Sequence, residues 1–256
     1  MLGAIAGDII GSIYEFEDEK PYYDFPLFSN GCLFTDDTVL TAALADSILT
    51  AIEYKTKLIE YYSIYPYCSY GNRFQQWGMS KEPKPYNSWG NGSAMRVSPV
   101  GWAYDDLVTV LQKAKESAEV THNHPEGIRG AQATAASIFL ARTSSSKEII
   151  KEYIERKFQY NLNFDLEELR RNYEFNESCQ ETVPQAIYTF LISESFEDSI
   201  RKSIYIGGDS DTLACINGSI AEAFYGGVTV SIQEEVYKRL DKKLTAVVNE
   251  FYRKFV

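Results

Sequence analysis

Apolar residues recur along most of this chain at intervals of three and four. Between Asp36 and Thr50, the positions Leu40, Ala43, Leu44, Ser47 and Ile48 fall on one face, as in a helix turned toward a core. The stretch from Asp105 to Glu119 repeats the pattern through Leu107, Val110, Leu111, Ala114 and Ala118, and Asp211 to Phe224 does so through Leu213, Ile216, Ile220, Ala223 and Phe224. A C-terminal run from Ile232 to Phe255 carries Val236, Leu240, Leu244, Val247 and Phe251 near the same period. Little reads as strand beyond "GVTVSI", which reads equally well as a loop into the last helix. The pattern predicts an all-α fold.

Three departures add detail. Gly3, Gly7 and Gly11 leave one face of the first helix without side chains, as close backbone packing in a buried helix requires. Residues 65–93, rich in Gly, Pro, Asn and aromatics, predict mostly loop, a natural place for function. The charged span from Lys147 to Glu181 predicts an amphipathic helix and a solvated connection, with no role beyond a wet face.

With 256 residues, 45% of them hydrophobic, the chain suffices for one sizeable core, and no repeat or linker divides it, so a single domain over residues 1–256 is expected. A formal net charge of −11 repels phosphate backbones and anionic lipid, which disfavours nucleic acid and membrane surfaces as partners. Cys32, Cys68, Cys179 and Cys215 lie far apart with no CxxC pair, so they read as reduced thiols of a cytoplasmic protein, not a zinc cluster or disulfide framework. The N-terminal "MLGAIAGDIIGSIYEF" lacks a basic flank and is interrupted by Asp8, so it reads as part of the fold.

The candidate chemistry lies at two helix starts. "FTDDTVL" places Thr35, Asp36 and Asp37 at the head of one apolar helix, and "GGDSDTLACI" places Asp209, Asp211 and Thr212 at the head of another. An Asp or Thr in a first turn ordinarily caps open amides, worth about 0.5–2 kcal/mol. A cap uses one side chain, so the second acid of each segment must point elsewhere. Were the segments to converge, each like-charge pair ~4 Å apart would cost about 1 kcal/mol in water and about 4 kcal/mol at an effective dielectric of 20. Several such pairs outweigh the caps. A hard cation such as Mg²⁺, Mn²⁺ or Ca²⁺ reverses that sign, and four carboxylates with two hydroxyls suit two ions, about 3.5–4 Å apart in two-metal sites.

"GDIIGSIYE" (7–15), "FTDDT" (34–38), "GNGSAMR" (90–96), "THNHPEG" (121–127) and "GGDSDT" (207–212) stand in the order of the ADP-ribosylglycohydrolase family, which the chain therefore resembles over most of its length. This resemblance implies a compact orthogonal helical bundle and a binuclear Mg²⁺ site, with Mn²⁺ a possible substitute. It implies Thr35, Asp36, Asp37, Asp209, Asp211 and Thr212 as metal ligands. Glu15 matches a glutamate that sits over the metals in serine-type relatives, so Glu15, Asp36, Asp37 and Asp211 are the expected catalytic residues. The "SWGNGSAMR" loop matches the family's ligand loop, with Ser88, Gly90, Asn91 and Gly92 near ribose and diphosphate; its glycines allow close backbone approach. Ser88 and the upstream "SIYE" place the chain nearer the serine-type branch than the arginine-type one.

Of the two histidines, His122 holds the family's substrate-side position and His124, before Pro125, reads as a residue opening a helix. Tyr70, Trp77, Tyr86 and Trp89 are candidates for packing or for stacking on adenine. The implied reaction is metal-assisted hydrolysis of the N- or O-glycosidic bond between ADP-ribose and a protein side chain or small molecule. Two alternatives remain at this stage: a non-catalytic ADP-ribose-binding or structural protein on the same fold, and a haloacid-dehalogenase-type phosphatase, whose D-x-D-x-T element "DSDTL" resembles. The latter element belongs after an N-terminal buried strand, whereas here it opens a late helix.

Overall fold

A chain whose first helix is apolar but for one aspartate, Asp8, has to build the rest of the molecule around it. In the computed structural model, which describes residues 1–17, 19–143 and 146–256, that helix is α1 (Leu2–Gly11), and all ten of its residues are buried. Along the chain follow α2 (Asp36–Thr50), α3 (Tyr54–Ile64), α4 (Asn72–Met79), α5 (Gly92–Met95), α6 (Ser98–Ala103), α7 (Leu107–Glu119) and α8 (Pro125–Arg142). Next come α9 (Lys147–Phe158), α10 (Leu166–Asn172), α11 (Cys179–Leu191), α12 (Phe196–Tyr205), α13 (Ser210–Tyr225), α14 (Val230–Arg239) and α15 (Lys242–Phe255). Among the described residues there is no strand, only an isolated bridge between Gly90 and Ser178.

The glycine stripe explains the centre of the fold. A Cβ on Gly3, Gly7 or Gly11 would stand 2.2, 2.0 or 2.5 Å from the carbonyl oxygen of Gly218, Ala214 or Ser210, all on α13. The backbones of α1 and α13 thus touch, and no other residue fits at these three positions without pushing the helices apart. Around the pair, α13 packs on α8, α11 and α12, while α2 joins α1 to α3, α6 and α15. The apolar core is one continuous cluster running from Met1 to Phe251.

The 65–93 segment is mostly loop, as expected, but it also contains a helix, α4, held by Phe74 and Trp77, both buried three residues apart. Its eight residues are too short for periodicity to stand out from the surrounding Gly and Pro. The C-terminal run is two helices, because Asp241 Oδ1 accepts from the Leu244 amide at 2.9 Å and starts α15 afresh. "GVTVSI" forms no strand: residues 227–229 lead into α14, which begins at Val230 and takes in the other three, so the helix it enters is the last but one.

Candidate active site

The structure answers why two acids stand together at the head of α2: neither of them caps it. Asp8, fully buried on α1, accepts from the Thr35 amide at 3.0 Å, the Thr35 hydroxyl at 2.7 Å, the Thr38 amide at 3.1 Å and the Thr38 hydroxyl. Thr35, the N-cap, accepts in turn from the Asp37 amide at 3.3 Å. With the Asp37 amide satisfied by Thr35 and the Thr38 amide by Asp8, the Asp37 carboxylate is left for other work. Asp8 was visible in the sequence only as a charge interrupting an apolar helix. It locks α1 to α2 just as the glycines lock α1 to α13.

At the second acidic segment, Gly207 and Gly208 both adopt φ of 79°, a left-handed conformation that side chains resist. A Cβ at Gly208 would also meet the Tyr173 ring at 2.6 Å. This turn delivers Asp209 to the head of α13, where its Oδ2 accepts from Asn91 Nδ2 at 2.6 Å. Because α1 and α13 touch, the turn that follows α1 brings Glu15 to the same place, and carboxylate oxygens of Glu15, Asp209 and Asp211 lie within 4.8 Å of one another. Thr212 Oγ1 donates to Asp37 Oδ1 at 3.4 Å, joining the two helix starts.

These groups line a cleft of about 430 Å³, together with Asp36, Ser88, Gly90, Asn91, Gly92 and His122. Thr35 is placed beside the cleft, not among its lining residues, with its hydroxyl proton given to Asp8. Glu177 lines it as well, so the span from Lys147 to Glu181 is more than a solvated face. The bond from the Asn91 amide to Glu177 O, 2.7 Å, and that from the Cys179 amide to Trp89 O, 2.9 Å, bind this segment to the 88–92 loop. No local pattern in "FNESC" marks that approach; it depends on residues more than eighty positions away.

The electrostatics are those of crowded acids. Burial, and then the charge of Asp209, push Glu15 up to about 8. Burial followed by the charge of Asp8 raises both Asp36 and Asp37 well above the usual carboxylate range, and burial followed by Asp209 does the same for Asp211. Asp209 is raised by burial against the opposing bonds it accepts. Asp37 Oδ2 is buried with no hydrogen-bond partner. A carboxylate oxygen left unsatisfied among other acids and a threonine hydroxyl is a donor set that a hard divalent cation would complete.

His122 is buried beside Gly90 and Gly92, and burial, with Arg96 and Arg73 adding to it, holds its imidazole well below the usual value. His124 does open α8: its Nδ1 accepts from the Glu126 amide at 3.1 Å. Of the four aromatics, Tyr70 and Tyr86 line the cleft. Tyr70 stacks on Phe74 at 5.3 Å, Trp77 is buried against Phe74, and half-exposed Trp89 meets His124 edge-on. All four cysteines are unbridged, three of them buried.

Fold and cleft together describe an all-α protein in which carboxylates from two helix starts line one cleft. The chain belongs to the ADP-ribosylglycohydrolase family, which it matches over residues 1–256, and it is accordingly a hydrolase of ADP-ribose glycosidic bonds. It is 28% identical to the ADP-ribosylhydrolase ARH3 of Homo sapiens over 88% of this chain and 84% of that protein. To the ADP-ribosylarginine hydrolase Tri1 of Pseudomonas putida it is 24% identical, over 88% of this chain and 69% of that one. A solved ADP-ribosylglycohydrolase-related protein complex shares the fold with a TM-score of 0.75 at 23% identity, over 99% of this chain and 95% of that chain. Among the described residues, no helix is long and apolar enough to cross a membrane.

Proposed function

We propose that the protein cleaves the glycosidic bond between ADP-ribose and an acceptor on a protein or small molecule, using two Mg²⁺ ions, for which Mn²⁺ can substitute. The observation that carries this reading is the meeting of the two acidic helix starts in one cleft, with Asp37 Oδ2 buried and unpaired there. Thr35, Asp36, Asp37, Asp209, Asp211 and Thr212 would hold the ions; the Thr35 hydroxyl gives its proton to Asp8 and keeps a lone pair for the cation. Bound there, the ions supply neutralisation of the acids and Lewis-acid polarisation of substrate or water oxygens.

The chain's own residues do the rest. Asn91 fixes Asp209 through its side-chain amide, and Gly90 and Gly92 leave room for the His122 ring. Glu15 holds a proton at its carboxyl or accepts one, at the cleft side of the bond that breaks. Fixed carboxylates beside the anomeric carbon favour the positive charge that develops there. Ser88, His122 and the loop between residues 88 and 92 orient the ADP-ribose. Ser88, "SIYE" and the resemblance to ARH3 favour a serine-type O-linkage over the arginine linkage named for Tri1.

The test is a panel of serine-linked, arginine-linked and small-molecule ADP-ribosyl conjugates, with freed ADP-ribose measured in Mg²⁺ and after chelation. Release from the serine-linked member that stops on chelation supports the reading. Binding of ADP-ribose without release from any conjugate would make the protein a binder instead.

A further inference from the structure

A hydrogen-bonded chain of three residues leads into the cleft from its buried side. Arg96 is fully buried, and its Nη2 donates to Ser117 O at 2.9 Å and to Thr121 Oγ1 at 2.7 Å. Thr121 Oγ1 also lies 2.7 Å from His122 Nδ1. A guanidinium only donates, so Thr121 must accept from Arg96. Accepting from Arg96 uses one lone pair of Thr121 Oγ1 and leaves its proton free for His122 Nδ1, 2.7 Å away, an arrangement in which that nitrogen accepts. A neutral imidazole accepting at Nδ1 carries its proton on Nε2.

Nε2 is the nitrogen turned toward the 88–92 loop. A Cβ built on Gly92 would stand 3.2 Å from it, and one on Gly90 3.5 Å, so the two glycines leave it uncovered. The Tyr86 ring flanks the imidazole, with ring centres 5.8 Å apart. The backbone amide of Tyr86 donates to Thr121 O at 3.1 Å, which fixes the residue between Arg96 and His122 from its other side.

We propose that Arg96 and Thr121 are positioning residues that fix His122 as an Nε2–H donor facing the cleft, so that the ligand group it meets offers only lone pairs. His122 on this account is a fixed donor and not a proton shuttle. Burial of the ring next to the Arg96 and Arg73 charges keeps it neutral, which is what a permanent donor requires. The identity of the ligand as ADP-ribose rests on the proposed function; the tautomer does not.

Long-range ¹H–¹⁵N spectra of ligand-free protein labelled at histidine test the tautomer directly. With only two histidines, His124→Asn assigns the signals by removing one set. The expected His122 pattern is protonated Nε2 and bare Nδ1, unchanged between about pH 5 and 8. Thr121→Val should give mixed tautomers and weaken ADP-ribose binding about tenfold, while Thr121→Ser retains both properties. A protonated Nδ1 or an imidazolium in the wild type overturns the proposal, as does an unaltered Nε2–H pattern in Thr121→Val. Should the valine variant not fold, Thr121→Ala takes its place under the same criteria. An Nε2–H pattern in a protein that binds no ADP-ribose would sink the functional reading and leave the positioning intact.

Discussion

Gly7→Ala adds one methyl group at the contact on which the site depends. An alanine in a helix interior is otherwise favoured over glycine by about 1 kcal/mol, so without the contact the variant would be stabilised. Here the new Cβ would stand 2.0 Å from Ala214 O and 2.2 Å from its carbonyl carbon, where ordinary contact begins at 3.4 Å. The obstacle is backbone, so α1 has to retreat from α13 by about 1.4 Å, at a cost near or above the top of the usual 1–3 kcal/mol for overpacking. Overpacking wins, leaving a net loss of about 2 kcal/mol and a melting temperature lower by roughly 4–8 °C. The same retreat draws Asp8 and Glu15 away from Asp209 and Asp211, whereas cation sites tolerate about 0.2 Å. Mg²⁺ at about a hundred times its Kd stabilises a binding-competent protein by about 2.7 kcal/mol. Differential scanning calorimetry with and without Mg²⁺ should show that gain in the wild type and its disappearance in Gly7→Ala. Gly71→Ala, whose Cβ meets nothing within 4 Å, is the control for a methyl added without a clash: it should keep the full Mg²⁺ response and lose no more than the cost of an N-cap alanine on α4. An unchanged or raised melting temperature with a full Mg²⁺ response in Gly7→Ala would refute the idea that this contact builds the site.

Other expectations can be tested on the same protein. The raised acids bind more protons folded than unfolded, so the stability of the metal-free protein should fall as pH rises from the unfolded carboxylate range toward the Glu15 value of about 8; Mg²⁺ should flatten that slope, and a chelator-insensitive pH profile by thermal denaturation would speak against it. Asp37→Asn should abolish the Mg²⁺ response and make the stability of the metal-free protein fall less steeply as pH rises, both read by calorimetry. Glu15→Gln should lower kcat about 10²–10⁴-fold in the ADP-ribose release assay, with KM little changed.

Much of this was readable in the residues because long helices and strong constraints announce themselves. The periods of α2, α7 and α13 are long enough to stand out, and the Gly3, Gly7 and Gly11 stripe states its packing requirement without a partner in view. The acidic segments could be read as a pair only because one cap cannot use two acids. What stayed hidden was set by distant partners. The capping of α2 comes in part from Asp8 on another helix, which leaves the Asp37 carboxylate free and takes the Thr35 hydroxyl proton. Glu177 reaches the cleft through main-chain bonds to the 88–92 loop, and α4 and α10 are too short for a period to show.

Anomalous diffraction from crystals soaked in Mn²⁺ tests the centre of the account most directly. The account predicts two Mn²⁺ peaks in the cleft, about 3.5–4 Å apart, each within bonding distance of side chains from both Asp36–Asp37 and Asp209–Thr212. Well-ordered crystals with no anomalous peak between those two helix starts would contradict it.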